Sequence, residues 1–391
     1  MPSPEVHGRP RVLLLTEALA GGVERHLRDL VGGLPADRYE VHVAAPPGPI
    51  SGASDCLRPW RNAGRPVHEV PMRKRIAPVS DVRAFRALLA LCRRERYAIV
   101  HTHSAKAGFL GRLAGRLTGA ATVHTPHVPP FDRGVAPVSE RLYLFLERRA
   151  ARWTDHMVLL SRYQENLVLR RRLLPAQKLT VIPNGQDAEA TGLPDRRAAR
   201  RELGLAGDET IVLQMGRFCR QKGQEVLIEA TALARRQGAA LRVLMVGDGP
   251  TRPQLQARIR SAGLEGVVAL EGWTAGPGLY YAASDLVAMP SWFEGGPYVL
   301  LEARAAARAT AVSLCCGMEE FVRHGVDGFL LPPGNGEAWA RLLLRAARER
   351  DDLDRIGRQA QARARQEPTV REAVERLTAV YDRLLGRRAA G

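Results

Sequence analysis

The sequence predicts an α/β protein built from two doubly wound parallel sheets. Three observations lead there. Short, near-continuous apolar runs recur along the chain, each followed by turn residues and then a segment of helical period. This alternation occurs as two series, separated by the turn-rich stretch Pro183-Asn-Gly-Gln-Asp187. At 391 residues the chain is also long enough for two cores rather than one.

Composition narrows the class. Hydrophobic content of 45% and charged content of 25% are those of an ordinary globular protein. No apolar run is long enough to span a bilayer, and MPSPEVHGRP lacks the apolar core of a secretory signal. The five cysteines are scattered, which fits a reducing cytoplasm rather than a disulfide or metal framework. The formal charge of +17 sits mostly in the first half, in blocks such as Arg73-Lys-Arg75, Arg148-Arg149 and Arg170-Arg-Arg172. Such blocks attract anionic lipid headgroups, although a solvated helix face explains most of them equally well. Nucleic acid is not expected as a partner, because aromatic residues are only 5% and no nucleic-acid motif is present.

In the first half, Arg11–Leu15 is expected as a buried strand, and Gly21-Gly22 opens a helix from Val23 to Val31. Tyr39–Ala45 and Pro66–Val70 are the next strands. Asp81 is expected to cap a helix reaching Arg96. Ala98–His103 is a strand whose end carries His101 and His103 on one face. A helix rich in small residues starts at Ser104 and includes Lys106. Ala121–His127 is a strand and its exit, with His103 and His127 both at strand ends, where open parallel sheets bind ligands. A zinc cluster of His101, His103, His124 and His127 is disfavoured by strand alternation, so no metal is expected. For His127 a capping or core role is as good a reading as a site role. Helix Val138–Trp153, strand Asp155–Leu160, helix Ser161–Leu173 and strand Lys178–Ile182 complete this half.

The second series opens with strand Thr210–Met215 and the turn Gly216-Arg217-Phe-Cys-Arg-Gln-Lys222-Gly223 before helix Gln224–Arg236. Arg217 and Lys222 could converge on one diphosphate, Arg as a fork and Lys as a point charge. Lysine is scarce here, occurring only at positions 74, 106, 178 and 222, so Lys106 and Lys222 stand out. Leu241–Val246 leads into Gly247-Asp-Gly-Pro250, and Val267–Leu270 into Gly272-Trp273-Thr274. Strand Asp285–Met289 runs into PSWFEGGPYVLLE, where Pro297 suits the first helical position and Gly296 a cap. The N–H groups of Tyr298, Val299 and Leu300 then point at an anion or sugar. An ordinary strand–loop–helix with a solvated Glu294 is the competing reading. Ala309–Ser313 and Phe329–Leu331 are the last strands, with a helix expected from Gly317. A final helix from Pro368 carries the stripe Val370, Val374, Leu377, Tyr381 and Leu384.

Taken together, Glu294 and Glu302 in E-x7-E spacing, Gly216-Arg217…Lys222-Gly223, Gly247-Asp-Gly-Pro250, Ile182-Pro-Asn-Gly185 and Gly21-Gly22 resemble glycosyltransferase family four. The segments His101-Thr-His-Ser-Ala-Lys-Ala-Gly108 and His124-Thr-Pro-His127 resemble its bacterial surface-polysaccharide subgroup. The resemblance covers nearly the whole chain. It implies the GT-B fold of two Rossmann-like domains facing a cleft: residues 1–187 binding acceptor, 188–367 binding nucleotide sugar, and 368–391 a crossover helix returning to the first domain. It implies retention of configuration and no metal or cofactor, the nucleoside-diphosphate sugar, chiefly UDP-sugar, being the donor substrate. Arg217 and Lys222 would neutralise the diphosphate, Glu302 would hold the ribose and Glu294 the donor sugar. Gly295, Gly296, Pro297, Tyr298 and Val299 would supply the sugar- and phosphate-binding turn, with Gly247 beside it and Trp273-Thr274 at the base. Gly21 and Gly22 would let the first domain approach the phosphate. His127 would orient the sugar, and His103 and Lys106 are candidates for the acceptor side.

The implied reaction moves a hexose or N-acetylhexosamine to a lipid-linked or saccharide acceptor at the inner membrane face. A soluble small-molecule acceptor and a non-catalytic nucleotide-sugar binder are the alternatives. Three departures fall near the sugar pocket: Glu294-Gly-Gly-Pro297 replaces the family's usual acid–glycine–phenylalanine–glycine run, Ala307 and Ala309 stand for a glycine and a proline, and Cys316-Gly317 for a glycine pair.

Overall fold

The computed structural model describes residues 8–19, 21–47, 57–73, 76–129, 131, 137–186, 192–205 and 209–389. Lys74, Arg75 and Asp187, named above, lie outside these residues. The chain divides into two units, Met1–Pro183 with Val370–Gly391, and Asn184–Thr369.

The first unit holds a seven-stranded sheet of β1 (Arg11–Thr16), β2 (Glu40–Ala45), β3 (Val67–Glu69), β4 (Ile99–His103), β5 (Ala121–Thr125), β6 (His156–Leu159) and β7 (Leu179–Val181). Its order is β3-β2-β1-β4-β5-β6-β7, with every pairing parallel. Val12 to Leu15 are fully buried, as strands covered by helices on both faces require. The helix Val370–Ala389 belongs to this unit, where Val374, Leu377, Val380, Tyr381 and Leu384 pack with Leu27, Leu30 and Val31 of helix Gly22–Gly33.

The second unit holds β8 (Thr210–Met215), β9 (Leu241–Val246), β10 (Val268–Glu271), β11 (Leu286–Met289), β12 (Ala309–Ser313) and β13 (Phe329–Leu331). They form a parallel sheet in the order β10-β9-β8-β11-β12-β13. In both sheets the strand order reverses beside the first strand, between β1 and β4 and between β8 and β11. Open α/β sheets bind ligands at the carboxyl ends of the strands flanking this reversal.

Three local expectations need correction. The helix expected from Asp81 starts at Pro78, because proline suits the first turn. Asp81 instead reaches back to accept the Ala77 N–H at 3.0 Å. Pro297 is the cap rather than the first helical residue: its ψ of 128° is extended, and the helix runs Tyr298–Ala305. The Leu300 N–H is consequently used, donating to the Pro297 carbonyl at 3.1 Å. The helix expected from Gly317 is a single 3-10 turn, Met318–Glu320, entered through left-handed Cys316 and Gly317. Phe321 caps it, its N–H donating to the Met318 carbonyl at 3.0 Å.

Candidate active site

In the second unit, the turns after β8 and β11 are built against each other. Gly223 has φ of 62°, and a Cβ there would lie 2.0 Å from the Pro290 carbonyl oxygen, so only glycine allows this approach. The Trp292 N–H donates to the Gln221 carbonyl at 2.8 Å, and Gln221 Nε2 to the Phe293 carbonyl at 3.1 Å. Across this seam Lys222 Nζ donates to Glu294 Oε1 at 2.6 Å, and Ser291 Oγ donates to the same oxygen at 2.6 Å. Glu294 is only 7% exposed, so its charge depends on these two donors. The solvated Glu294 of the competing reading is thereby excluded. Arg217 is exposed and makes no ion pair among the described residues. The two cations are thus employed differently, Lys222 held by Glu294 and Arg217 directed to solvent.

The third turn joins the same assembly. A Cβ on Gly247 would fall 2.2 Å from the Gly216 carbonyl oxygen. Gly296, at φ 101°, offers its carbonyl to Asn184 Nδ2 at 2.8 Å. Gly295 and Val299 are half-buried, while Pro297 and Tyr298 are buried. Glu302 Oε2 accepts from the Tyr281 hydroxyl at 2.8 Å. Burial and the Glu302 charge push the Tyr281 phenol well above its ordinary range, so it stays a donor and fixes the carboxylate. Trp273 is 64% exposed, an unusual position for a large aromatic side chain, and Thr274 Oγ1 accepts the Gly276 N–H at 3.0 Å. The sequence reading missed Ser291 and Tyr281, whose types alone suggest turn and core.

In the first unit, Gly21 caps helix Gly22–Gly33 with φ 56° and ψ −132°, a conformation open to glycine. His127 follows β5 in a left-handed conformation, φ 56°. Its Nε2 lies 3.2 Å from Nδ1 of His103, which ends β4. The other two histidines weighed as zinc ligands point elsewhere. His101 pairs with the Tyr381 hydroxyl at 2.6 Å and Thr125 Oγ1 at 2.9 Å, and His124 Nδ1 pairs with Thr102 Oγ1 at 2.9 Å. Desolvation holds His101, His103, His124 and His127 well below the usual imidazole range, so all four are neutral at pH 7. Lys106 is 10% exposed at its side chain and paired with Asp81 at 2.6 Å. Its backbone N–H and that of Ala107 both donate to Glu17 Oε2, so a side-chain carboxylate occupies this helix start.

Residues 20–190 match Glycosyltransferase Family 4, and residues 195–363 match Glycosyl transferases group 1, which together account for most of the chain. The chain belongs to this glycosyltransferase family. Among its relatives, the Escherichia coli UDP-Gal:alpha-D-GlcNAc-diphosphoundecaprenol alpha-1,3-galactosyltransferase is 27% identical over 334 residues, covering 84% of this chain and 85% of that protein. D-inositol 3-phosphate glycosyltransferase of Nocardia farcinica is 33% identical over 288 residues, covering 68% of this glycosyltransferase and 62% of its own length. Anabaena HepE in complex with UDP and glucose superposes with a TM-score of 0.80 at 22% identity, covering 96% and 100% of the two chains. Sucrose-phosphate synthase from Thermosynechococcus elongatus gives 0.81 at 21% identity, covering 97% and 100%. These neighbours establish the GT-B fold of this glycosyltransferase.

Proposed function

We propose that this glycosyltransferase moves a hexose or N-acetylhexosamine from a UDP-sugar to a lipid-linked acceptor at the inner face of the membrane, with retention. The observation that carries the donor half is the seam between the β8 and β11 turns at the strand-order reversal. There the exposed Arg217 and the Lys222–Glu294 pair sit on adjoining turns. In this reading a donor diphosphate meets Arg217 and draws Lys222 toward itself, and the cations count most as leaving-group charge develops. Glu302, held by Tyr281, takes the ribose hydroxyls. Glu294 and the Gly295–Val299 turn take the sugar, Gly247 lies against the phosphates and Trp273-Thr274 against the base. The step is read as metal-independent, with attack on the face the nucleotide leaves and a phosphate oxygen accepting the acceptor's proton.

The lipid half rests on charge and exposure. On helix Pro137–Ala151, Val138, Leu142 and Phe145 are 78%, 47% and 53% exposed, one face at i, i+4, i+7, with exposed Arg141, Arg148 and Arg149 nearby. Helix Pro78–Glu95 exposes Val79 (70%) and Val82 (52%) beside Arg83 and Arg86. Apolar side chains mixed with arginine suit an anionic bilayer surface. Among the described residues no helix is long and apolar enough to cross a membrane. The name of the E. coli relative supports a polyprenyl-diphosphate-linked acceptor. A soluble acceptor is the second reading, favoured by the inositol-phosphate relatives. The test offers UDP-hexoses and UDP-N-acetylhexosamines with an undecaprenyl-diphosphate saccharide in anionic vesicles, against free saccharides and inositol phosphate. Transfer confined to the vesicle acceptor is expected; transfer to soluble acceptors alone would overturn the membrane reading.

A further inference from the structure

His26, on helix Gly22–Gly33, joins His103 and His127 at the strand-order reversal of the first sheet. Each of the three offers one ring nitrogen, and these nitrogens all lie within 4.8 Å of one another. The rings are mutually inclined, with centroids 5.4 Å apart for His26–His103, 4.9 Å for His26–His127 and 5.4 Å for His103–His127. His26 and His103 are 9% and 0% exposed. Three different elements, a helix, a strand end and a left-handed turn, therefore aim imidazoles at one buried point.

We infer that His26, His103 and His127 form a binding site for a borderline-soft divalent cation, with Zn2+ as the best match. Two zinc ligands at about 2.0–2.1 Å in tetrahedral geometry stand roughly 3.3 Å apart. The His103 Nδ1 to His127 Nε2 distance of 3.2 Å matches that separation. The other nitrogen of His103, Nε2, is buried without a hydrogen-bond partner, so only Nδ1 of this ring is turned to His127. All-nitrogen ligation favours zinc, copper, nickel or cobalt over magnesium and calcium, which take oxygen. Three protein ligands leave a fourth tetrahedral position for water or another small ligand. The ion would fasten the His127 turn to β4 and to the helix behind Gly21.

The experiment titrates the full chain, freed of metal by chelator, with Zn2+ by calorimetry and with Co2+ by visible absorption. One ion per chain is expected, with a tetrahedral cobalt spectrum lacking thiolate charge transfer, and a zinc-dependent rise in the unfolding temperature. His26→Asn and His103→Gln should each weaken binding at least about tenfold, since loss of even an outer-shell partner costs about 10–100-fold. Far-UV circular dichroism and the unfolding temperature of the metal-free chain verify that each variant is folded. Failure of the metal-free chain to bind either ion overturns the inference. So does stoichiometric binding that survives both histidine variants, or that is lost only when Cys315 and Cys316 are changed to serine.

Discussion

Replacing Lys222 by alanine tests both the structural and the chemical side of the donor seam. In the folded protein the Lys222 ammonium is the sole cation paired with Glu294 among the described residues, at 2.6 Å. Glu294 is 7% exposed and would keep only the Ser291 hydroxyl. Removing one partner of a buried pair costs about 3–5 kcal/mol, because the remaining charge is left uncompensated. For a unit of this size that lowers the unfolding temperature by roughly 10 °C. Transfer should fall further than stability explains, by about 10²–10³ in kcat, the typical worth of one group stabilising developing negative charge. The double variant Lys222→Ala/Glu294→Gln separates the two effects. Neutralising Glu294 should restore most of the lost stability and none of the lost kcat. The assay pairs thermal unfolding of each variant with single-turnover transfer at saturating UDP-sugar. The reasoning is refuted if Lys222→Ala unfolds within about 1 kcal/mol of the parent, or if the double variant regains transfer.

Other perturbations follow from the same geometry. Tyr281→Phe removes the donor that fixes Glu302, so UDP affinity should fall by about 1–2 kcal/mol, measured by calorimetry, while an affinity loss confined to the sugar would contradict the ribose assignment. Ala307 adopts φ 54°, where a side chain costs about 1–2 kcal/mol, so Ala307→Gly should raise stability by up to about 1 kcal/mol in urea unfolding after its entropic cost. His124 is held well below its ordinary pKa and His156 is drawn down to about 4, both chiefly by desolvation. Both are neutral when folded and protonate near 6.5 when unfolded, so stability is full above about pH 6.5 and falls toward pH 4. The slope approaches about 1.4 kcal/mol per pH unit for each histidine, and pH-dependent unfolding midpoints that stay flat below 6.5 would contradict it.

Most of the fold was readable because parallel strands buried on both faces, such as Val12–Leu15, announce themselves as apolar runs whatever their tertiary setting. Boundaries were less readable where a side chain chose between equivalent backbone donors. Asp81 looks like a cap, yet its carboxylate bonds Ala77 from within the helix. The donor seam was legible as residue types and order, since Gly223 and Gly247 are required by close backbone approach and Gly216 by its φ of 139°. That Lys222 spends its charge on Glu294 was not legible, because the pairing joins residues 72 positions apart. The departures at Ala307 and Cys316 gained meaning only from their φ values of 54° and 48°: this chain keeps a glycine-shaped backbone there without the glycine. His26 was invisible as a site residue because it lies on the buried helix face with Leu27 and Leu30, where a core histidine is the natural reading.

In the proposed function a UDP-sugar binds where the β8 and β11 turns meet. Equilibrium calorimetry with UDP on the parent chain, Arg217→Ala and Glu302→Gln tests it most directly. One site per chain is expected, weakened by roughly 1–3 kcal/mol in each variant, as the loss of a charged hydrogen bond requires. UDP binding of parental strength in both variants would contradict it.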